Sequence, residues 1–169
     1  MRDTASFWDS EAERYDNAYE SRGRRGRVLR MRRDAALGLL GDGPGDVLDV
    51  GMGPGRLLRA LADRCWRVHG VDSSERMVQL ARTRIPEAGA RLVRGSIESL
   101  PFPDSSFDAV VATGVLEYVA YSEAAISELA RVLRPGGRAV LSVPRPGRAR
   151  RAWRARVLYP LARAVKRIV

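Results

Sequence analysis

Apolar and polar positions along the chain change period several times, and the changes mark its elements. Residues 6–20 have helical spacing and carry the aromatics Phe7, Trp8, Tyr15 and Tyr19. Residues 23–40 repeat Val28, Met31, Ala35 and Leu39 at helical intervals, which predicts a second helix with those four on its apolar face. Gly41-Asp42-Gly43-Pro44-Gly45 then breaks the pattern. Beyond it, short runs rich in β-branched residues (46–50, 67–71, 90–94, 107–112 and 138–143) alternate with helical stretches at 55–63, 74–84 and 122–133. Ser73 or Ser74 suits a helix N-cap, Arg134-Pro135-Gly136-Gly137 a helix stop, and Pro101 with Pro103 makes the link after Arg94 a loop. This alternation predicts an α/β fold, a Rossmann-like, doubly wound, mostly parallel sheet of about five strands with helices on both faces. Past Val143 the pattern turns helical again over 148–169, with Trp153, Val157, Leu161, Val165 and Ile168 on one stripe and a kink at Pro160.

Composition excludes several chemistries. One cysteine, Cys65, cannot form an internal disulfide, and with one histidine, His69, it cannot make an ordinary zinc site; no metal is expected. The single lysine, Lys166, leaves no Walker-type phosphate loop. The apolar run around residues 109–116 is far short of the roughly 20 residues a membrane span requires, and residues 1–13 are too charged for a signal peptide. A cytoplasmic location is the expectation.

Charge is uneven. Residues 34–128 hold 9 basic and 14 acidic side chains, a balance of −5, whereas residues 129–169 hold 12 basic side chains and no acid. A second acid-free run, Arg22, Arg24, Arg25, Arg27, Arg30, Arg32 and Arg33, leads into the second predicted helix. Such runs can face phosphate on nucleic acid or lipid, but a solvated helix surface is the plainer reading.

The chemical signal sits at Val47-Leu48-Asp49-Val50-Gly51-Met52-Gly53-Pro54-Gly55: a strand, a glycine turn and a helix start. Ligands of open parallel sheets bind beyond the carboxyl ends of the strands, and glycines there let backbone approach them. A dinucleotide fingerprint would put its third glycine at position 56, which is arginine, so the spacing favours another nucleoside-like ligand. Asp72 ends the next strand, 21 residues after Gly51, where a carboxylate can accept two hydrogen bonds from a ribose diol.

Four blocks then resemble the class I S-adenosylmethionine-dependent methyltransferases, in their small-molecule branch with the ubiquinone and menaquinone biosynthesis enzymes. They are the glycine motif, Gly70-Val71-Asp72-Ser73-Ser74-Glu75-Arg76-Met77, the segment from Gly95 to Asp108, and Leu133-Arg134-Pro135-Gly136-Gly137-Arg138. The resemblance implies S-adenosyl-L-methionine as cofactor and methyl transfer to a small-molecule acceptor. It implies that Gly51 and Gly53 lie against the methionine part, with Asp49 helping to hold its amino end. Asp72 would hold the ribose, and Met77, Ser96 and Ile97 the adenine; Met52 and Ser73 are further cofactor-binding positions. Thr113 and Gly114 would sit beneath the methionine end, and Tyr15 would cover the cofactor as a lid. Two positions depart from the family: Ser96 stands where an aspartate is common, and Tyr118 where a histidine is usual. No catalytic base is therefore assigned.

The implied organisation is N-terminal lid helices (1–40), a cofactor-binding core (41–145) and a basic C-terminal helix (146–169). The last two strands of the usual seven are missing, which makes the chain either naturally short or a truncated product and leaves the fifth strand as an open edge. A homodimer or partner subunit, or the basic helix, would cover that edge; the same helix also suits weak membrane-surface contact. A cofactor-binding subunit without its own activity is the alternative reading. An RNA methyltransferase is the less favoured one, because no base-flipping signature or appended RNA-binding motif is present. His69 reads as structural, Cys65 as a small buried hydrophobe, and Glu117 as either an orienting or a solvated carboxylate.

Overall fold

The computed structural model describes residues 4–86, 89–119 and 123–142. The predicted C-terminal helix, with its edge-covering and membrane-surface roles, lies outside them. Two helices, α1 (Thr4–Ala18) and α2 (Arg24–Leu40), precede a sheet of β1 (Asp46–Val50), β2 (Arg67–Asp72), β3 (Leu92–Arg94), β4 (Phe107–Ala112) and β5 (Leu133–Leu141). Helices α3 (Arg56–Ala62), α4 (Glu75–Arg84) and α5 (Glu123–Val132) make the crossovers. Strand order is β3-β2-β1-β4-β5, and every pairing is parallel. Order reverses between β1 and β4, so the loops above their carboxyl ends diverge and leave a crevice.

Alternate strand residues feed two cores. Leu48, Val110 and Ala112 pack with Ile126 and Leu129 of α5, whereas Val47, Ala109 and Val111 pack with Leu37, Leu58 and Val78 of α2, α3 and α4. Both faces are thus covered, as the near-continuous apolar runs of the strands require.

Three expectations are corrected. On α2 the buried residues are Gly26, Leu29, Ala36, Leu37 and Leu40, while Met31 is 65% and Leu39 44% exposed. That helix carries two apolar stripes of equal period, and the sheet takes the other one. Strand β5 begins at Leu133 rather than 138: Leu133 pairs with Phe107, then the register shifts and Arg138 pairs with Ala109. The Pro-Gly-Gly turn is absorbed as a bulge, with Gly136 at φ +81° and Arg134 Nη1 donating to Asp108 Oδ2 at 2.6 Å. Cys65 is exposed at φ +65°, because the chain reverses there and Trp66 takes the buried place.

Candidate functional site

The glycine turn is fixed by backbone hydrogen bonds. Gly51 and Met52 N–H groups both donate to the Val71 carbonyl, at 2.8 and 3.1 Å, which pins the turn to the neighbouring strand. Gly51 has φ +72°, and a Cβ there would meet Val115 at 2.7 Å. Only glycine tolerates that conformation together with that approach.

Asp72 comes to this turn from β2. Its Oδ2 accepts from Gly53 N at 2.8 Å and its Oδ1 from Ser74 N at 2.9 Å. Ser74, not Asp72, caps α4, accepting from Met77 N at 3.1 Å. Burial pushes the Asp72 carboxyl above the ordinary range despite its backbone donors. Asp49 is fully buried on β1; burial, and then the Asp72 charge, push its carboxyl up to about 7. None of the ion pairs among the described residues involves it, although Arg32 and Arg33 line the same recess.

A cavity of about 830 Å³ opens over these groups. Its floor includes Gly51, Gly53, Asp72, Ser73, Thr113 and Gly114, and its far wall Met77, Ser96 and Ile97. Tyr15 forms part of its roof: a Cβ on Gly53 would lie 3.7 Å from the tyrosine ring. Asp49 and Met52 do not reach this cavity; they line a small adjoining recess together with Tyr15 and Tyr19. Ser96 Oγ accepts from Glu98 N at 3.1 Å, so part of its hydrogen-bonding capacity is used in its own turn. His69 is structural, with its ring 5.4 Å from that of Phe107 and Nε2 3.4 Å from Asp46.

Helix α1 is held down by charge. Asp9 Oδ1 accepts from Ser74 Oγ at 2.6 Å and from Arg76 N at 3.1 Å. Asp16 accepts from Arg56 Nε at 2.7 Å and from Arg84 Nη2 at 2.9 Å. The aromatics of α1 form an edge-to-face chain, with Trp8 5.4 Å from Tyr15 and 5.3 Å from Tyr118.

Residue patterns did not reveal the second half of the cavity, formed by Trp8, Arg24, Arg25, Val28, Arg32 and Tyr118. The acid-free arginine run marks that half: Arg22, Arg24, Arg25 and Arg27 are exposed, as a solvated helix surface requires, and Arg32, half-buried, meets Glu117 at 3.2 Å.

Comparison with known proteins places the chain in a family. A demethylmenaquinone methyltransferase of Beutenbergia cavernae is 40% identical over 143 residues, which is 83% of this chain and 57% of that protein. The uncharacterized methyltransferase YdaC of Bacillus subtilis is 39% identical over 101 residues, 57% of this chain and 55% of the relative. The chain thus spans little more than half the length of these relatives. Among solved structures, a methyltransferase of Haloferax volcanii in complex with the Trm112 methyltransferase activator has 30% identity and a TM-score of 0.64, over 81% of this chain and 58% of that one. An S-adenosylmethionine-dependent methyltransferase of Thermotoga maritima, described as a possible histamine N-methyltransferase, has 25% identity and a TM-score of 0.68, over 92% and 71%. Residues 48–141 match the model of the methyltransferase domain family, and they hold the glycine turn, Asp72 and the carboxyl ends of β1, β2 and β4 that floor the cavity. The chain belongs to that family, whose methyl donor is S-adenosylmethionine.

Proposed function

We propose that this chain transfers a methyl group from S-adenosylmethionine to a small-molecule acceptor by in-line displacement. The observation that carries the reading is Asp72 held by the Gly53 and Ser74 N–H groups at the floor of a cavity roofed by Tyr15. The residues fit the cofactor: Asp72 keeps free lone pairs for a ribose diol, Met77 and Ile97 give an apolar slot for adenine, and Asp49 is a buried carboxyl awaiting an ammonium. Once bound, the cofactor supplies an electrophilic methyl on a sulfonium.

The protein's own work is alignment and exclusion of water. The Gly51–Gly53 backbone sets the methionine end against β1, Asp72 fixes the sugar, and Trp8 and Tyr15 cover both. Glu117 is engaged by Arg32, and Tyr118 stands at the rim, so no side chain is assigned as base. An acceptor that is already nucleophilic needs none.

Calorimetry with S-adenosylmethionine and S-adenosylhomocysteine tests the cofactor assignment, and turnover on a panel of small acceptors tests the reaction. Absence of binding heat from a folded sample overturns the first, and binding without turnover on any acceptor the second. The latter outcome supports a cofactor-binding subunit completed by a partner. That second reading is favoured by the activator-bound structural relative.

A further inference from the structure

The wall of the cavity opposite Asp72 is built from α2, and its charge has a definite order. Arg24, Val28 and Arg32 follow one another at four-residue intervals, so they form one row along the helix. Arg32 ends the row beside Gly114, where a Cβ would meet its Nη1 at 2.9 Å, and its charge is matched by Glu117 at 3.2 Å. At the other end stand Arg24 and Arg25. None of the ion pairs among the described residues involves either. The Arg25 guanidinium lies 5.6 Å over the Tyr15 ring, which turns it toward the cavity roof rather than away.

Between the two charged ends the wall is apolar: Val28, Val115, Val119 and the Trp8–Tyr118 pair. An apolar chamber with a few convergent charges orients its ligand by those charges. A guanidinium fork matches the planar oxygens of a carboxylate or the oxygens of a phosphate, and two adjacent forks match either better than one.

We infer that the methyl acceptor is an apolar, ring-bearing molecule carrying an oxyanion, a carboxylate or a phosphate ester, which Arg24 and Arg25 bind. The proposal rests on the methyl-transfer reading and names its substrate class. The atom receiving the methyl lies at the Gly114 end. The acceptor's anion lies toward Arg24, whose backbone is eight residues, about 12 Å along the helix axis, from that of Arg32. Arg24 and Arg25 are specificity residues that set the acceptor's polarity of entry, and Val28 reads its apolar middle.

The test is calorimetry on the full chain loaded with S-adenosylhomocysteine, using matched probes: 6-hydroxy-2-naphthoate against 6-hydroxy-2-naphthamide, and 2-naphthyl phosphate against 2-naphthol. At least one anion should bind tenfold or more tighter than its neutral partner, and the better of the two tells carboxylate from phosphate. The preference should be lost in the double variant Arg24→Gln, Arg25→Gln and largely kept in Arg24→Lys, with folding of each checked by circular dichroism. Neutral partners binding as well as both anions, a preference that survives the double variant, or inorganic phosphate binding as tightly as the ring-bearing anions would each overturn the proposal. Failure of S-adenosylhomocysteine to bind would overturn the cofactor assignment instead. The same probe comparison on the cofactor-free chain then still decides whether the arginines select an anion.

Discussion

Asp72 and Gly53, nineteen positions apart in sequence, meet through a 2.8 Å hydrogen bond from the glycine N–H to the Asp72 carboxylate. The bond ties the end of β2 to the turn after β1 and orients the carboxyl that faces the cavity. Under the proposed function, the same carboxyl that braces the fold would also hold the ligand.

Replacing Asp72 by alanine should lower both properties separately. The Gly53 and Ser74 donors lose their acceptor, which costs about 1–3 kcal/mol of stability. Affinity for S-adenosylhomocysteine should fall about tenfold or more, since a ribose diol loses a charge-assisted acceptor. Chemical denaturation and calorimetry read the two effects, and an unchanged affinity would mean that the sugar lies elsewhere.

Asp49 predicts a pH dependence. Its carboxyl, at about 7 in the fold against an ordinary 3.8, is raised. A raised acid favours the folded state fully only below 3.8, and that advantage is lost progressively as pH rises to about 7. Asp49→Asn should thus raise the melting temperature of the cofactor-free protein at pH 8 by several degrees. The gain should shrink as pH falls from 7 toward 4. The same change should weaken S-adenosylhomocysteine binding, because the buried charge that meets its ammonium is gone.

Tyr15 acts by covering Gly53 and packing on Trp8, not by ionising; burial holds its hydroxyl far above the usual tyrosine range. Tyr15→Phe should leave cofactor affinity within about threefold, whereas Tyr15→Ala should cost about tenfold or more, the loss expected when a large aromatic contact is removed. Equal losses in the two variants would point to the hydroxyl instead.

The hold on α1 is electrostatic. Burial pulls the Asp16 carboxyl upward, but hydrogen bonds from Arg56 and Arg84 more than offset it and leave it below the ordinary 3.8. Its stabilisation is present above that value and fades as pH falls through the lowered one. Asp16→Asn should increase hydrogen exchange over residues 4–18 without comparable change in β1 or β4. High salt should have a smaller effect in the same direction, because these pairs are partly buried.

The amino-acid sequence by itself determined the glycine turn, the acid that ends β2 and the order of strands and helices. These are local properties: a left-handed backbone at Gly51, a carboxylate one strand-helix-strand unit later, and apolar runs whose period marks each element. Tertiary structure decided which face of α2 is buried, because two stripes share one period and only contact with α3 and the sheet chooses between them. It also decided that Arg134 and its glycines belong to β5, through pairing with β4 and Asp108, and that Cys65 is left outside by Trp66. Above all it brought Arg24, Arg25 and Arg32 to the lining of one cavity. A run of arginines has the same spacing whether or not a cavity opens beside it, and only the packing of α1 and α2 over the sheet shows that the exposed Arg24 and Arg25 border one.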